Sequence, residues 1–297
     1  MVAAVIVLYI PDMLLLDRLL RSVVGQVEKI IVIDNTPGPS DGFSSYFDKY
    51  QGCISYLPLG DNKGIAAAQN MGIRKSMEGG FSHVLLLDQD SALPPDTVKK
   101  LLDAEQKLLS EGKNVAAVGP LFVDEKTGRF PRAIRHKMQA LQNAGEQNAR
   151  DTVETDWIMA SGSMIRSSVF SVVGLMLDEL FIDIVDTEWG LRAKMNGYNC
   201  YMIPEVLLQH STGDRVIQVL GREIYLHNNT RNCYITRNST YLLRRRYMGW
   251  RWRASMICKI PSYILVYCWY SDHRFESLVL LSKALLNGAH GKLGRLD

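Results

Sequence analysis

Five short apolar runs separated by stretches of helical pattern constrain this chain more than any other feature. Residues 2–9 (VAAVIVLY), 29–33 (KIIVI), 54–57 (ISYL), 84–87 (VLLL) and 115–123 (VAAVGPLFV) are short and mostly rich in β-branched residues, as buried parallel strands are. Between them, Asp12 is placed to cap a helix from Met13 to about Val24. Residues 65–78 form a helical segment opening after Asn62-Lys63-Gly64, and residues 96–110 form a third. Strands alternating with helices imply an α/β fold of Rossmann-like form: a mostly parallel sheet with helices on both faces. Ligands bind such sheets at the carboxyl ends of the strands. Asp34, Asn62 and Asp88 to Asp90 lie at those ends or just beyond them.

The pattern changes after residue 124. Residues 126–151 are polar and irregular and read as a long loop. Residues 157–165 (WIMASGSMI) look strand-like around Ser161-Gly162-Ser163. Residues 181–196 pass from a polar start into a helix. Residues 199–208 form a strand ending at Gln209-His210, and from about Ile217 the chain reads as mostly helical. The expected organisation is one α/β domain over residues 1–215, carrying the ligand-binding strand ends, followed by a basic, aromatic helical region over residues 216–297. With 47% hydrophobic residues the chain has ample material for a core.

Charge is distributed unevenly. Residues 231–297 carry 12 Lys/Arg against 3 Asp/Glu, a net +9, which leaves −6 on the rest of a chain whose formal total is +3. A basic tail of this kind points to an anionic surface. Its Trp and Tyr residues interleave with a long apolar stretch, residues 257–270, which favours lipid over nucleic acid. That stretch contains Lys259 and Pro261 and is shorter than the roughly 20 residues a bilayer span needs, so an in-plane helix is expected. The same aromatic surface would serve a homodimer. Five scattered cysteines without a CxxC pair exclude a zinc knuckle and a disulfide framework, and point to a reducing compartment. The N-terminus carries no signal-peptide pattern.

The chemistry concentrates in three places. Asp88-Gln89-Asp90 sets two carboxylates at a strand exit, where they can converge on a hard cation, Mg²⁺ or Mn²⁺, that keeps open positions for phosphate. His210, after a distant strand, offers a further ligand. Phe181 to Trp189 (FIDIVDTEW) puts acids at alternating positions before a helix. Asp186 or Glu188 is then the candidate base for a hydroxyl nucleophile, and either acid also suits the first turn of a helix. On the donor side stand Tyr9, Asp34, Asn62 and Lys63. Arg231 and Arg237, in the basic and aromatic tract 231–246, could reach a diphosphate or a membrane surface.

Taken together, these residues resemble the family 2 inverting glycosyltransferases with the A-type fold, and more closely their bacterial rhamnosyltransferase branch. The resemblance covers about residues 3–243. It is carried by LLDQDS at 86–91, FIDIVDTEW at 181–189 and RNSTYL at 237–242. It implies that Asp34 reads the nucleotide base or ribose, that Asp88, Gln89 and Asp90 lie at the diphosphate with Asp90 the direct metal ligand, and that His210 is a further ligand. Asp186 takes the place of the catalytic base, with Val185-Asp186 standing where the family commonly has Glu-Asp. Ser161, Gly162, Ser163 and Trp189 fall on the acceptor or sugar side. The implied donor is dTDP-β-L-rhamnose, and the implied acceptor a hydroxyl of a lipid-linked polysaccharide or O-antigen precursor. The implied location is peripheral, on the cytoplasmic face of the bacterial inner membrane. A UDP-hexose or UDP-galactofuranose donor is the alternative. A non-catalytic nucleotide-sugar-binding membrane scaffold is a reading of another class, against which the intact acids argue.

Overall fold

The apolar runs build the centre of an eight-stranded sheet in the computed structural model, which describes residues 1–38, 43–50, 52–124, 152–210, 215–219 and 222–296, with backbone only at 124, 209–210, 215–219 and 222–226. The strands are β1 (Val2–Leu8), β2 (Lys29–Asp34), β3 (Ile54–Pro58), β4 (His83–Asp88), β5 (Val115–Asp124), β6 (Val153–Thr155), β7 (Met164–Arg166) and β8 (Asn199–His210). Their order is β3-β2-β1-β4-β7-β5-β8-β6. β1 to β4 are mutually parallel and β5 pairs parallel with β8, while β7 and β6 run antiparallel to their neighbours.

Period-2 alternation divides each central strand between two cores. Ala3, Val5 and Val7 of β1 face one side, where they meet Ala66, Ala68 and Ile73. Val2, Ala4, Ile6 and Leu8 face the other, where they meet Leu16, Leu19, Leu20, Leu101 and Leu108. Helix α1 (Met13–Val23) starts where Asp12 accepts hydrogen bonds from the backbone of Leu14 and Leu15, as its N-cap position predicts. Its four buried side chains contribute about 1.5–3 kcal/mol each. A four-residue helix, α2 (Phe43–Tyr46), lies before β3. Helix α3 (Ile65–Glu78) covers the other face, and a Cβ on Gly72 would overlap Val5, so the glycine sets how closely α3 sits on β1. Helix α4 (Thr97–Ser110) precedes β5.

Two expectations fail beyond residue 124. Of the 157–165 stretch only residues 164 and 165 are strand, because Gly162 takes a left-handed φ of 79° and turns the chain at Ser161-Gly162. β7 then enters between β4 and β5, and leads into α5 (Ser167–Val173). The chain from about Ile217 is also not helical at first. β9 (Arg215–Val219) and β10 (Arg222–Leu226) pair antiparallel, in keeping with the β-branched and aromatic residues of RVIQV and REIYL. Helix begins only with α7 (Asn229–Leu242), after α6 (Val185–Met195) and β8, and is followed by α8 (Trp250–Tyr270) and α9 (Arg274–His290). Among the described residues no helix is long and apolar enough to cross a membrane. The loop expected over 126–151 lies outside the described residues.

Candidate active site

The carboxyl ends of β1, β2 and β4 form one edge, tied together by short-range polar contacts. At the end of β2, Asp34 is buried. Its Oδ1 accepts from the Thr36 N–H at 3.0 Å and its Oδ2 from the Tyr56 hydroxyl at 2.6 Å. The neighbouring Asn35 donates to Asn62 Oδ1 at 2.9 Å and accepts from the Lys63 N–H at 2.7 Å. Asn62 Oδ1 also accepts from the Gly64 N–H at 3.0 Å. Asn62 therefore shapes the loop before α3. The Lys63 amine points to the surface, 3.1 Å from Asp61. Tyr9, 45% exposed, exchanges two backbone hydrogen bonds with the Gln89 side chain, at 2.7 and 3.1 Å. Gln89 thus spends both ends of its amide joining β1 to β4, which makes it a brace of the Asp88–Asp90 turn rather than a donor contact.

Asp88 and Asp90 project from this edge. Asp90 is exposed, and among the described residues no side-chain or backbone hydrogen bond engages its carboxylate; only its backbone carbonyl is taken, by Arg18. The turn beneath is fixed by Ser91 and Ser161, both buried, whose hydroxyls meet at 2.6 Å, and by the Asp88 N–H reaching Ser161 Oγ at 3.3 Å. Gly162 N–H donates to Leu86 O at 2.7 Å, and Ser163 O accepts from the Leu86 N–H. The expectation that Ser161, Gly162 and Ser163 face an acceptor is not met: both hydroxyls are buried and the triplet holds β4 in place.

Across from this edge, α6 begins at Val185 and presents Asp186 in its first turn. Burial pushes the Asp186 carboxyl up to about 6, and the charges of Asp88 and Asp183 act in the same direction. Hydrogen bonds from the Thr187 and Ala160 backbone N–H groups offset part of this. Burial pushes the nearby Cys200 thiol up to about 12, so it carries no charge near neutrality. Asp88 lies near enough to Asp186 for its charge to act there.

The other acids of this stretch are committed elsewhere. Asp178 accepts from Asn70, Glu179 from Tyr241 at 2.7 Å, and Asp183 pairs with Arg231 at 2.6 Å. Glu188 is fully buried (0% exposed) and grips Arg192 through both oxygens, at 2.8 and 2.9 Å. That removes Glu188 as a second base, because an acceptor cannot reach it. Trp189 is buried against Phe170 and donates to Gly174 O at 2.9 Å, so it is core and not a sugar platform. Arg237 is 1% exposed and reaches neither a diphosphate nor a membrane. Its guanidinium bonds Asn238 Oδ1, Leu180 O and Gly294 O. His210 closes β8 opposite Asp124, on the carboxyl edge of the sheet, and its side chain lies outside the described residues.

Asp88 and Asp90 supply the hard oxygen donors that Mg²⁺ or Mn²⁺ prefers, and the exposed Asp90 leaves room for phosphate oxygens. Among the described residues, no group of three or more His, Cys, Asp or Glu could by itself hold a metal ion. Asp88 and Asp90 therefore fit a cation that takes its remaining ligands from outside this pair.

Residues 5–174 match the family described as Glycosyl transferase family 2. The chain is a family 2 glycosyltransferase. The glycosyltransferase is 32% identical to the dTDP-rhamnosyl transferase RfbF of Shigella flexneri over 248 residues, 82% of this chain and 80% of that protein. It is 26% identical to the N-acetylglucosaminyl-diphospho-decaprenol L-rhamnosyltransferase of Mycobacterium tuberculosis over 271 residues, 81% of this chain and 83% of that one. Among solved structures, GalNAc-T7 with UDP, GalNAc and Mn²⁺ superposes with a TM-score of 0.62 at 13% identity, covering 97% of this chain and 56% of that chain, a likeness of fold.

Sequence reasoning passed over three residues that shape the site of this glycosyltransferase. Tyr56 holds Asp34, Asn35 ties the two donor-side loops, and Asn238 donates to the carbonyls of Leu180, Ile182 and Asp183 at 2.9, 2.8 and 3.1 Å. The adjacent Asn35 and Asn238 stood in plain view beside Asp34 and Arg237. The turn that Asn238 grips did not, because it holds Phe181, Asp183 and Ile184 at φ of 67°, 63° and 65°. Such left-handed backbone costs of order 1–3 kcal/mol per non-glycine residue and has no sequence signature here.

Proposed function

We propose that this glycosyltransferase is an inverting rhamnosyltransferase. It moves L-rhamnose from dTDP-β-L-rhamnose to a hydroxyl of a lipid-linked glycan, such as an O-antigen precursor, at the cytoplasmic face of the inner membrane. The observation that carries the chemistry is Asp186, a carboxyl pushed up to about 6 and set against the Asp88 edge. An acid poised there accepts the hydroxyl proton near neutral pH as the oxygen attacks the anomeric carbon from the face opposite the departing diphosphate, which inverts that centre. The donor assignment draws on the rhamnosyl transfer named for the Shigella and Mycobacterium relatives. Asp88 and Asp90, with His210 as a further ligand, are the residues that would hold Mg²⁺ or Mn²⁺. When bound, such a cation neutralises charge developing on the leaving nucleoside diphosphate.

Membrane attachment draws on α8 and α9. Trp250 (69%) and Phe275 (80%) stand exposed, together with Ile257, Leu265 and Trp269. Arg251 lies over Trp250 and Arg274 over Trp269, the amphipathic pairing that suits a headgroup layer. Binding to vesicles containing anionic lipid is expected, and its loss in a Trp250→Ala/Trp269→Ala/Phe275→Ala variant.

A second reading, a hexosyl donor, has one observation in its favour: the 23% identical Low-salt glycan biosynthesis hexosyltransferase Agl10 of Haloferax volcanii. Donor turnover decides between them. The purified protein, assayed with Mn²⁺ against dTDP-rhamnose and a panel of UDP-sugars, is expected to turn over dTDP-rhamnose and to stop on chelation. Turnover of a UDP-sugar alone would overturn the sugar assignment.

A further inference from the structure

Asp186 depends on a turn that its own sequence does not favour. Phe181, Asp183 and Ile184 all hold left-handed backbone immediately before α6, and Ile184 is β-branched, the side-chain type that resists this conformation most. Residues of α7, distant in the sequence, hold it. Asn238 Nδ2 donates to the carbonyls of Leu180, Ile182 and Asp183, 55 to 58 residues away. Arg237 donates twice to Asn238 Oδ1, at 3.1 and 2.9 Å, which fixes the amide with its N–H groups toward the turn. The Phe181 ring stacks on Tyr234 of the same helix at 5.2 Å, and Gly64 of the donor-side loop packs so closely against Phe181 that a Cβ there would overlap it.

We infer that Asn238, oriented by Arg237, is a positioning residue for catalysis: by holding the left-handed turn at residues 181–184 it sets where the Asp186 carboxyl stands relative to Asp88. This rests on the reading of Asp186 as the base. The contact is selective in a way that can be tested. Asn238→Asp keeps the volume and the acceptor for Arg237 but removes the donor to all three carbonyls. A misplaced base costs the chemical step, while the donor edge at β1, β2 and β4, which Asn238 does not touch, keeps its affinity.

The test is steady-state release of dTDP from dTDP-rhamnose with Mn²⁺, water taking the sugar, on the full chain. In Asn238→Asp, kcat should fall about tenfold to hundredfold while KM for the donor stays within about twofold, and the acid limb of the kcat profile should shift. Adding Ile184→Gly, which makes left-handed backbone intrinsically accessible, should recover part of the lost kcat. Should Asn238→Asp fail to fold, Arg237→Lys, which keeps the charge and loses the fork, reads the same split. Unchanged kcat and acid limb in a folded variant overturn the inference, as does a parallel loss of kcat and donor affinity that Ile184→Gly does not relieve. Asp186→Asn, measured alongside, separates the two readings. If it stays active, the base assignment has failed; if it is inactive while Asn238→Asp is normal, only the positioning role has failed.

Discussion

At the ends of β2 and β4 the ties run among strands of the sheet and the loops at their ends, whereas between residues 178 and 188 most acids are held by contacts from helices distant in the sequence. On the donor side, Asp34 meets Thr36 and Tyr56, and the Asp88 N–H meets Ser161. On the acidic turn, Asp178 meets Asn70, Asp183 meets Arg231 and the backbone meets Asn238. Glu188 alone is settled locally, by Arg192 one helical turn on. The donor side leaves Asp90 without a side-chain partner among the described residues. The acidic turn satisfies four of its five acids with side-chain partners and leaves Asp186 with backbone N–H donors, under strain from burial and from Asp88. The difference is the ground on which Asp90 and Asp186 are proposed as working groups: among the described residues neither carboxylate has a charged side-chain partner.

The largest expected effect tests that sorting directly. Asp186→Asn should lower kcat by about 10²–10⁴-fold, with the donor Kd, read by titration calorimetry, within about twofold. Next, Glu188→Gln breaks a buried pair and should destabilise the protein by about 3–5 kcal/mol in urea unfolding, with activity per folded molecule largely kept. An inactive but stable Glu188→Gln would return this residue to the active site.

Asp186 should also cost stability. Its carboxyl stands at about 6 in the folded protein against an ordinary 3.8. The folded state therefore holds the proton more tightly, and the stability this provides is full below about pH 4 and lost as pH rises through about 6. Asp186→Asn should then gain up to about 3 kcal/mol over the wild type at about pH 8 and nothing at about pH 4. The smallest effect is expected at Lys63. Its exposed pair with Asp61 is screened by solvent, and Lys63→Ala should leave the unfolding midpoint almost unchanged.

The same contrast explains what was legible beforehand. The parallel core could be read from residues 2–8 and 83–88 because burial on both faces demands apolar runs, and Asp88, Asp90 and Asp34 followed from strand ends alone. Asp186 was one of two candidates, since Asp186 and Glu188 look alike in sequence. Only the position of Arg192 on the inner face of α6 assigns Glu188 to the core. Arg237 read as a ligand for anions because a buried arginine and an exposed one have the same letter, and its partners Leu180 and Gly294 are 57 residues away on either side. The pairing of β9 with β10 was missed because their short apolar segments suit either period.

The most direct test of the central claim, that Asp186 is the base, is the pH dependence of kcat for transfer from dTDP-rhamnose, measured from about pH 4 to about pH 8 with the cation saturating. The account expects a plateau above neutrality and an acid limb centred near 6, where the Asp186 carboxyl titrates. A rate that holds its plateau down to about pH 4, or full activity in Asp186→Asn, would contradict it.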